Sequence, residues 1–136
     1  MVKNVFIWKE ITLTTKNKIG LLANIVKIIA DHGINIEGIV GYSMDDEASI
    51  MIVAEDITAA KETLTQNGFE VKENDVVVVD LQNKPGALKS LTARIAGENI
   101  DIKYIYGTVT LEEDVSRLVL VTSSNERTIA LLKEKK

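Results

Sequence analysis

Two short stretches, NKIGLL (Asn17–Leu22) and NKPGAL (Asn83–Leu88), hold the residues best suited to gripping a small polar molecule. Each places an asparagine shortly before a glycine and then opens an apolar run. An asparagine side chain both donates and accepts hydrogen bonds. A glycine at the mouth of a helix leaves first-turn amides pointing outward, where their partial positive charge favours a carboxylate. Pro85, the only proline, has a fixed φ and no N–H, which suits the first position of a helix. Gly86 beside it is expected to permit a close backbone approach. In the first stretch Ile19 stands where the proline would be, so that loop is less stiff. The chemistry on offer is recognition of a small carboxylate. A plain helix N-cap is the competing use of Asn17 and Asn83, and tight loop packing is the competing use of Gly20 and Gly86.

Covalent chemistry finds little support. The chain has one histidine and no cysteine, which removes disulfides, thiolate zinc sites and thiol nucleophiles together. Its acids are scattered on turns, and Glu112, Glu113 and Asp114 read as a solvated hairpin tip. No nucleophile–base pair or metal cluster emerges, so neither catalysis nor a cofactor is implied. His32 follows Asp31 at a helix end and reads as solvated capping. The net charge of −4 gives no electrostatic footprint for nucleic acid or an anionic membrane. ASIMIVAE and VSRLVLVT lack the strand aromatics and basic neighbours of an RNA-binding sheet. The opening MVKNVFIWKE is too short and too charged for a signal peptide or membrane span, so a cytoplasmic location is expected. With 46% hydrophobic and 26% charged residues, the composition is that of an ordinary globular protein.

The elements that must position these loops come in duplicate. At an offset of 66 the ten pairs Asn17/Asn83, Lys18/Lys84, Gly20/Gly86, Leu22/Leu88, Ile29/Ile95, Ala30/Ala96, Ile34/Ile100, Ile36/Ile102, Ile39/Ile105 and Gly41/Gly107 are identical. Further on, ASIMIVAED aligns with VSRLVLVTSSN at an offset of 68, which places two extra residues in a hairpin near Glu112 and Glu113. Self-similarity of this kind marks a tandem duplication.

Ile11–Leu13 and Val76–Val79 read as strands. Leu22, Ile25, Val26 and Ile29, and likewise Leu88, Leu91 and Ile95, follow helical spacing. Gly33 ends the first helix, and Asn99 ends the second in the equivalent place. Strands are expected at Ile34–Val40, Ser49–Ala54 and Phe69–Lys72, with a helix at Thr58–Gln66 capped by Asp56 or Thr58. The order is βαββαβ, an α+β arrangement of two tandem ferredoxin-like units whose antiparallel sheets carry helices on one face. Domain 1 is expected over 1–72 and domain 2 over 73–136. The second copy reaches its last helix, Asn125–Lys136, without a closing strand. Val2–Ile7 is expected to pair as that missing edge strand. Tyr104 and Tyr106 fall on one strand face, and Trp8 reads as a core or interface anchor.

The pattern Asn-x-Pro-Gly-x-Leu, then a helix, then Gly-x-Asn-Ile leading into a strand, resembles the ACT domain. Both copies carry it, as Asn17–Leu22 with Gly33–Ile36 and as Asn83–Leu88 with Asn99–Ile102, so the resemblance spans nearly the whole chain. It departs from the pattern at Ile19 and at Asp101, where asparagine is commoner. The size looks like a small stand-alone tandem protein of this kind. The resemblance implies a non-catalytic sensor or regulatory protein that binds a small amino acid at interfaces between paired domains. It also implies a homodimer and a metabolic enzyme as target. The implied ligand-binding residues are Asn17, Ile19, Gly20, Leu21 and Asn35 in the first copy and Asn83, Pro85, Gly86, Ala87 and Asp101 in the second. The rival reading is a ligand-free structural or interaction module serving as an enzyme's regulatory subunit.

Overall fold

Alternating apolar residues dictate the sheets and four-residue apolar spacing dictates the helices. The computed structural model describes residues 2–110 and 114–134, so the insertion expected at Glu112 and Glu113 lies outside the described residues. In chain order the elements are β1 (Val2–Lys16), α1 (Leu21–Asp31), β2 (Ile36–Met44), β3 (Glu47–Ala54), α2 (Ile57–Gln66), β4 (Lys72–Gln82), α3 (Ala87–Gly97), β5 (Ile102–Thr110), β6 (Val115–Thr122) and α4 (Asn125–Lys133). They form two compact α+β units of ferredoxin-like type, one made of residues 9–74 and the other of 2–8 with 75–134.

In the unit of residues 9–74 the strand order is β2-β3-β1-β4. Antiparallel pairing sets Ile11 opposite Ile52 and Leu13 opposite Ile50, and these four point to the same side. There they meet Leu21, Ile25 and Ile29 of α1 and Ala60 and Leu64 of α2 in one core. The buried stripe of α1 begins at Leu21, one residue earlier than the spacing from Leu22 suggests, and Leu22 is 47% exposed. The turn before the helix causes this shift, because it delivers Leu21 to the sheet. Asp56 caps α2, its Oδ1 accepting from the Ala59 N–H at 3.1 Å. The strand expected at Phe69–Lys72 begins only at Lys72. Phe69 and Val71 precede it and close the core from the side. His32 is not simply solvated: one ring nitrogen lies 2.9 Å from the Ile28 carbonyl, and the ring reaches Thr63 Oγ1 of α2 at 3.0 Å.

In the other unit the strand order is β1-β4-β6-β5. Val77 faces Leu120 and Val79 faces Leu118, over a core shared with Leu91 and Ile95 of α3 and Leu131 of α4. Val5 is buried in this same core. Arg117 makes a two-pronged contact with Asp80, at 2.7 and 2.9 Å, and its guanidinium carbon lies 5.5 Å from the Phe6 ring centroid. Residues 2–8 are thus held to this unit by an apolar contact and by a cation over an aromatic face. Trp8 is no core residue: it stands edge-on to Phe6 and is 39% exposed. Tyr104 and Tyr106 stack side by side, 6.4 Å between centroids. Helix α4 stops at Lys133, three residues short of the expectation.

Val5→Asp places a charge in the second core with no partner, at a cost of several kcal/mol. Hydrogen–deuterium exchange should therefore accelerate at residues 77–81 and 118–120 while residues 50–54 keep their protection. Equal loss in both sets would show that Val5 does not belong to that unit.

Candidate functional site

A tight turn joins the first strand of each copy to its first helix. The Leu21 N–H donates to the Lys18 carbonyl at 3.2 Å, and the Ala87 N–H to the Lys84 carbonyl at 3.2 Å. Gly20 has φ 87 and ψ 2, and Gly86 φ 86 and ψ −10. Those are the angles of the third residue of a type II turn, which calls for glycine, and proline favours the residue before it. Pro85 therefore serves the turn and is not the first helical residue, since α3 starts at Ala87 and Gly86 is its N-cap. Close packing is not what Gly20 and Gly86 provide either: a β-carbon on either one would meet nothing within 4 Å. What they supply is a left-handed backbone.

This turn leaves the amides of Leu22 and Ala23 without intrahelical acceptors, and no side chain caps α1 or α3. The N-cap role for Asn17 and Asn83 is thereby overturned, because Gly20 and Gly86 occupy those positions. Asn17 is instead tied through its backbone, its N–H donating to the Asp46 carbonyl at 2.7 Å in the turn between β2 and β3. Asn83 repeats the bond to the Asp114 carbonyl at 2.9 Å.

In the first copy these pieces border an open cleft of about 360 Å³. Asn17, Lys18 and Gly20 through Ala23 form one wall, Gly41, Tyr42 and Ser43 of β2 the other, and Ala48 and Ile50 of β3 the floor. The floor is apolar, with Leu21, Ala48 and Ile50 each at most 5% exposed. Among the lining residues Lys18 is the one cation and there is no carboxylate. The geometry offers amide donors and an asparagine at the rim over an apolar pocket, which is the arrangement that receives an organic carboxylate with a hydrocarbon tail.

Of the residues expected from sequence, Asn17, Gly20 and Leu21 come together at this cleft. Ile19 does not line it and is fully exposed. Asn35 sits at the opposite end of β2 from Tyr42, some seven residues or about 20 Å along the strand, and its carbonyl accepts from the Glu55 N–H. Asp101 is engaged locally in the same way, by Ser123 through both backbone and hydroxyl. Gly41, Tyr42, Ser43, Ala48 and Ile50 were missed by sequence reasoning. The signal for them was present in the Gly41/Gly107 identity.

The second copy differs at two points. Ser116 Oγ lies 3.4 Å from Asn83 Oδ1, whereas the residue matching Ser116 in the first copy is Ala48 and the Asn17 side chain keeps its hydrogen-bonding capacity. A β-carbon on Gly107 would lie 2.3 Å from Leu118 Cδ2 and 2.9 Å from the Arg117 carbonyl, but one on Gly41 would stand 3.8 Å from Ile50 Cγ1. Leu118 therefore fills the space that stays open beside Gly41. No group of acids and histidines able to hold a metal occurs among the described residues, and no helix is long and apolar enough to cross a membrane.

Comparison with known proteins agrees with this fold. Residues 9–66 match the family model of the ACT domain. A solved protein of Bacteroides thetaiotaomicron superposes with a TM-score of 0.88 at 26% identity, covering 95% of this chain and 88% of that one. The regulatory subunit of aspartate kinase from Thermus thermophilus, in its ligand-free form, superposes with a TM-score of 0.68 at 13% identity, covering 97% of each chain. Its counterpart from Thermus flavus does so with a TM-score of 0.62 at 16% identity, covering 96% of this chain and 95% of that one. The last two likenesses establish the shared fold across both copies. No curated protein sequence matches the chain.

Gly107→Ala must displace a packed leucine and a backbone carbonyl, so its cost is expected to be about 1–3 kcal/mol. Gly41→Ala, which meets only an ordinary contact, should stay within about 0.5 kcal/mol of wild type. Chemical denaturation of the two variants checks the contrast, and equal costs would remove the asymmetry between the copies.

Proposed function

We propose that this protein is a non-catalytic regulatory sensor made of two ACT-type modules, and that it binds a small amino acid in the first-copy cleft. The observation that carries the reading is the meeting of Asn17, with its side chain unengaged, and the uncapped amides of Leu22 and Ala23 above an apolar floor. The amides and Lys18 receive the α-carboxylate. The Asn17 and Ser43 oxygens accept from the α-ammonium. In this reading the second-copy residues Asn83, Pro85, Gly86, Ala87 and Asp101 hold the fold and take no ligand. The match to the ACT domain and the fold shared with aspartate kinase regulatory subunits support a role in which occupancy is read by a metabolic enzyme.

A homodimer belongs to the same proposal. Ile19, Leu22, Tyr42 and Met44 are all large, apolar or aromatic, and exposed on the elements that border the cleft, and grouped exposure of this kind marks an interaction surface. A second copy seated there would roof the cleft. A ligand-free interaction module is the alternative that the same exposed residues favour.

A thermal-shift screen against the common amino acids tests the sensor reading. At about a hundred times its Kd a ligand adds about 2.7 kcal/mol of stability, a shift of several degrees. The shift should vanish in Asn17→Ala and persist in Asn83→Ala. A flat screen would favour the interaction module. Light scattering checks the assembly: Tyr42→Asp should convert a dimer to a monomer, and a wild-type monomer would refute the pairing.

A further inference from the structure

Gly41 has no structural reason to be glycine. Its backbone is ordinary strand with no positive φ, and an added β-carbon would meet only Ile50 Cγ1 at 3.8 Å. Glycine weakens a strand interior and commonly marks a close approach by something else. At Gly107 that something is visible, since the Leu118 side chain lies in the vacated space. At Gly41 the same space belongs to the cleft.

We propose that Gly41 determines ligand specificity, and that the ligand is an amino acid with an uncharged aliphatic side chain. This rests on the amino-acid reading above and adds the ligand's class. The backbone register aligns the two sites, with Gly41 opposite Ile50 and Gly107 opposite Leu118. In the second unit an aliphatic group fits beside the glycine and over the strand. In the first, Leu21, Ala48 and Ile50 present an apolar floor to any group placed there. A lysine or glutamate side chain would lose hydration against that floor, and no carboxylate lines the cleft to pair with a cation. The cleft's volume of about 360 Å³ stands near the lower end of ligand pockets, about 300–1,000 Å³, which suits a single amino acid better than a nucleotide.

The test is titration calorimetry of the full chain with L-alanine, L-valine, L-leucine, L-lysine and L-glutamate, on wild type, Gly41→Ala and Gly41→Leu. Wild type should bind valine or leucine best, with one site per chain. Gly41→Ala takes up room equal to one methyl group, so it should weaken leucine relative to alanine by about ten-fold or more, the usual effect of one methylene in an apolar pocket. Gly41→Leu, which fills the space beside β2, should bind none of the five while melting within a few degrees of wild type. If Gly41→Leu does not fold, the ranking in Gly41→Ala still decides. Wild-type preference for lysine or glutamate, or an unchanged ranking in Gly41→Ala, overturns this inference and leaves the amino-acid site standing. Silence of all five ligands on wild type overturns this inference, and joined to a flat thermal-shift screen of the common amino acids it overturns the amino-acid site as well.

Discussion

A left-handed glycine between the first strand and first helix of each copy is the constraint on which the remaining geometry depends. An L-residue in that conformation costs about 1–2 kcal/mol, so the turn strongly favours glycine. The consequences run in both directions along the chain. Ahead of the glycine, the turn sets Asn17 against the bend between β2 and β3. Behind it, Leu21 is delivered into the core and Leu22 to the surface, and α1 begins with no side-chain cap. The other two helices open differently: Asp56 caps α2 and Ser124 caps α4, each accepting a first-turn amide. Within one small protein, the helices meant only to pack close their own ends, and the helices that follow the glycine turn do not.

Most of the architecture was legible because its physics is local or periodic. The repeat revealed the duplication, glycine and asparagine marked the helix ends, and Asn99 adopts a positive φ like that of Gly33. Residues 2–8 fall with the core of the second copy. The failures have equally physical sources. Pro85 fits both the first turn of a helix and the second place of a type II turn, and only the hydrogen bond from Ala87 to Lys84 separates them. Asn17 before a helix has the composition of a cap, yet its spacing to the glycine makes it a neighbour of the cap.

The candidate site was half legible for the same reason. Asn17, Gly20 and Leu21 belong to a contiguous motif and could be read along the chain. The opposite wall, Gly41 to Ser43, and the floor, Ala48 and Ile50, join it only through the register of β2 with β3. Register is a long-range property, and no local pattern announces it. The Gly41/Gly107 identity did carry the information, but as a symmetric feature. Its two members turned out to serve unlike purposes, one sheltering Leu118 and the other bordering a cleft.

Leu118 gives the duplication a further meaning. It behaves as a tethered occupant, covalently supplied and therefore present at a concentration that never varies. At the same register position in the first copy Ile50 leaves room beside Gly41, and in the reading proposed that room is filled from solution. On that reading, one module is always complete and its twin becomes complete by mass action. Such a pair contains its own reference. In the reading proposed, information about the ligand resides in how firmly the first module holds together compared with its twin, and a signal of that kind requires no hinge, lid or moving domain.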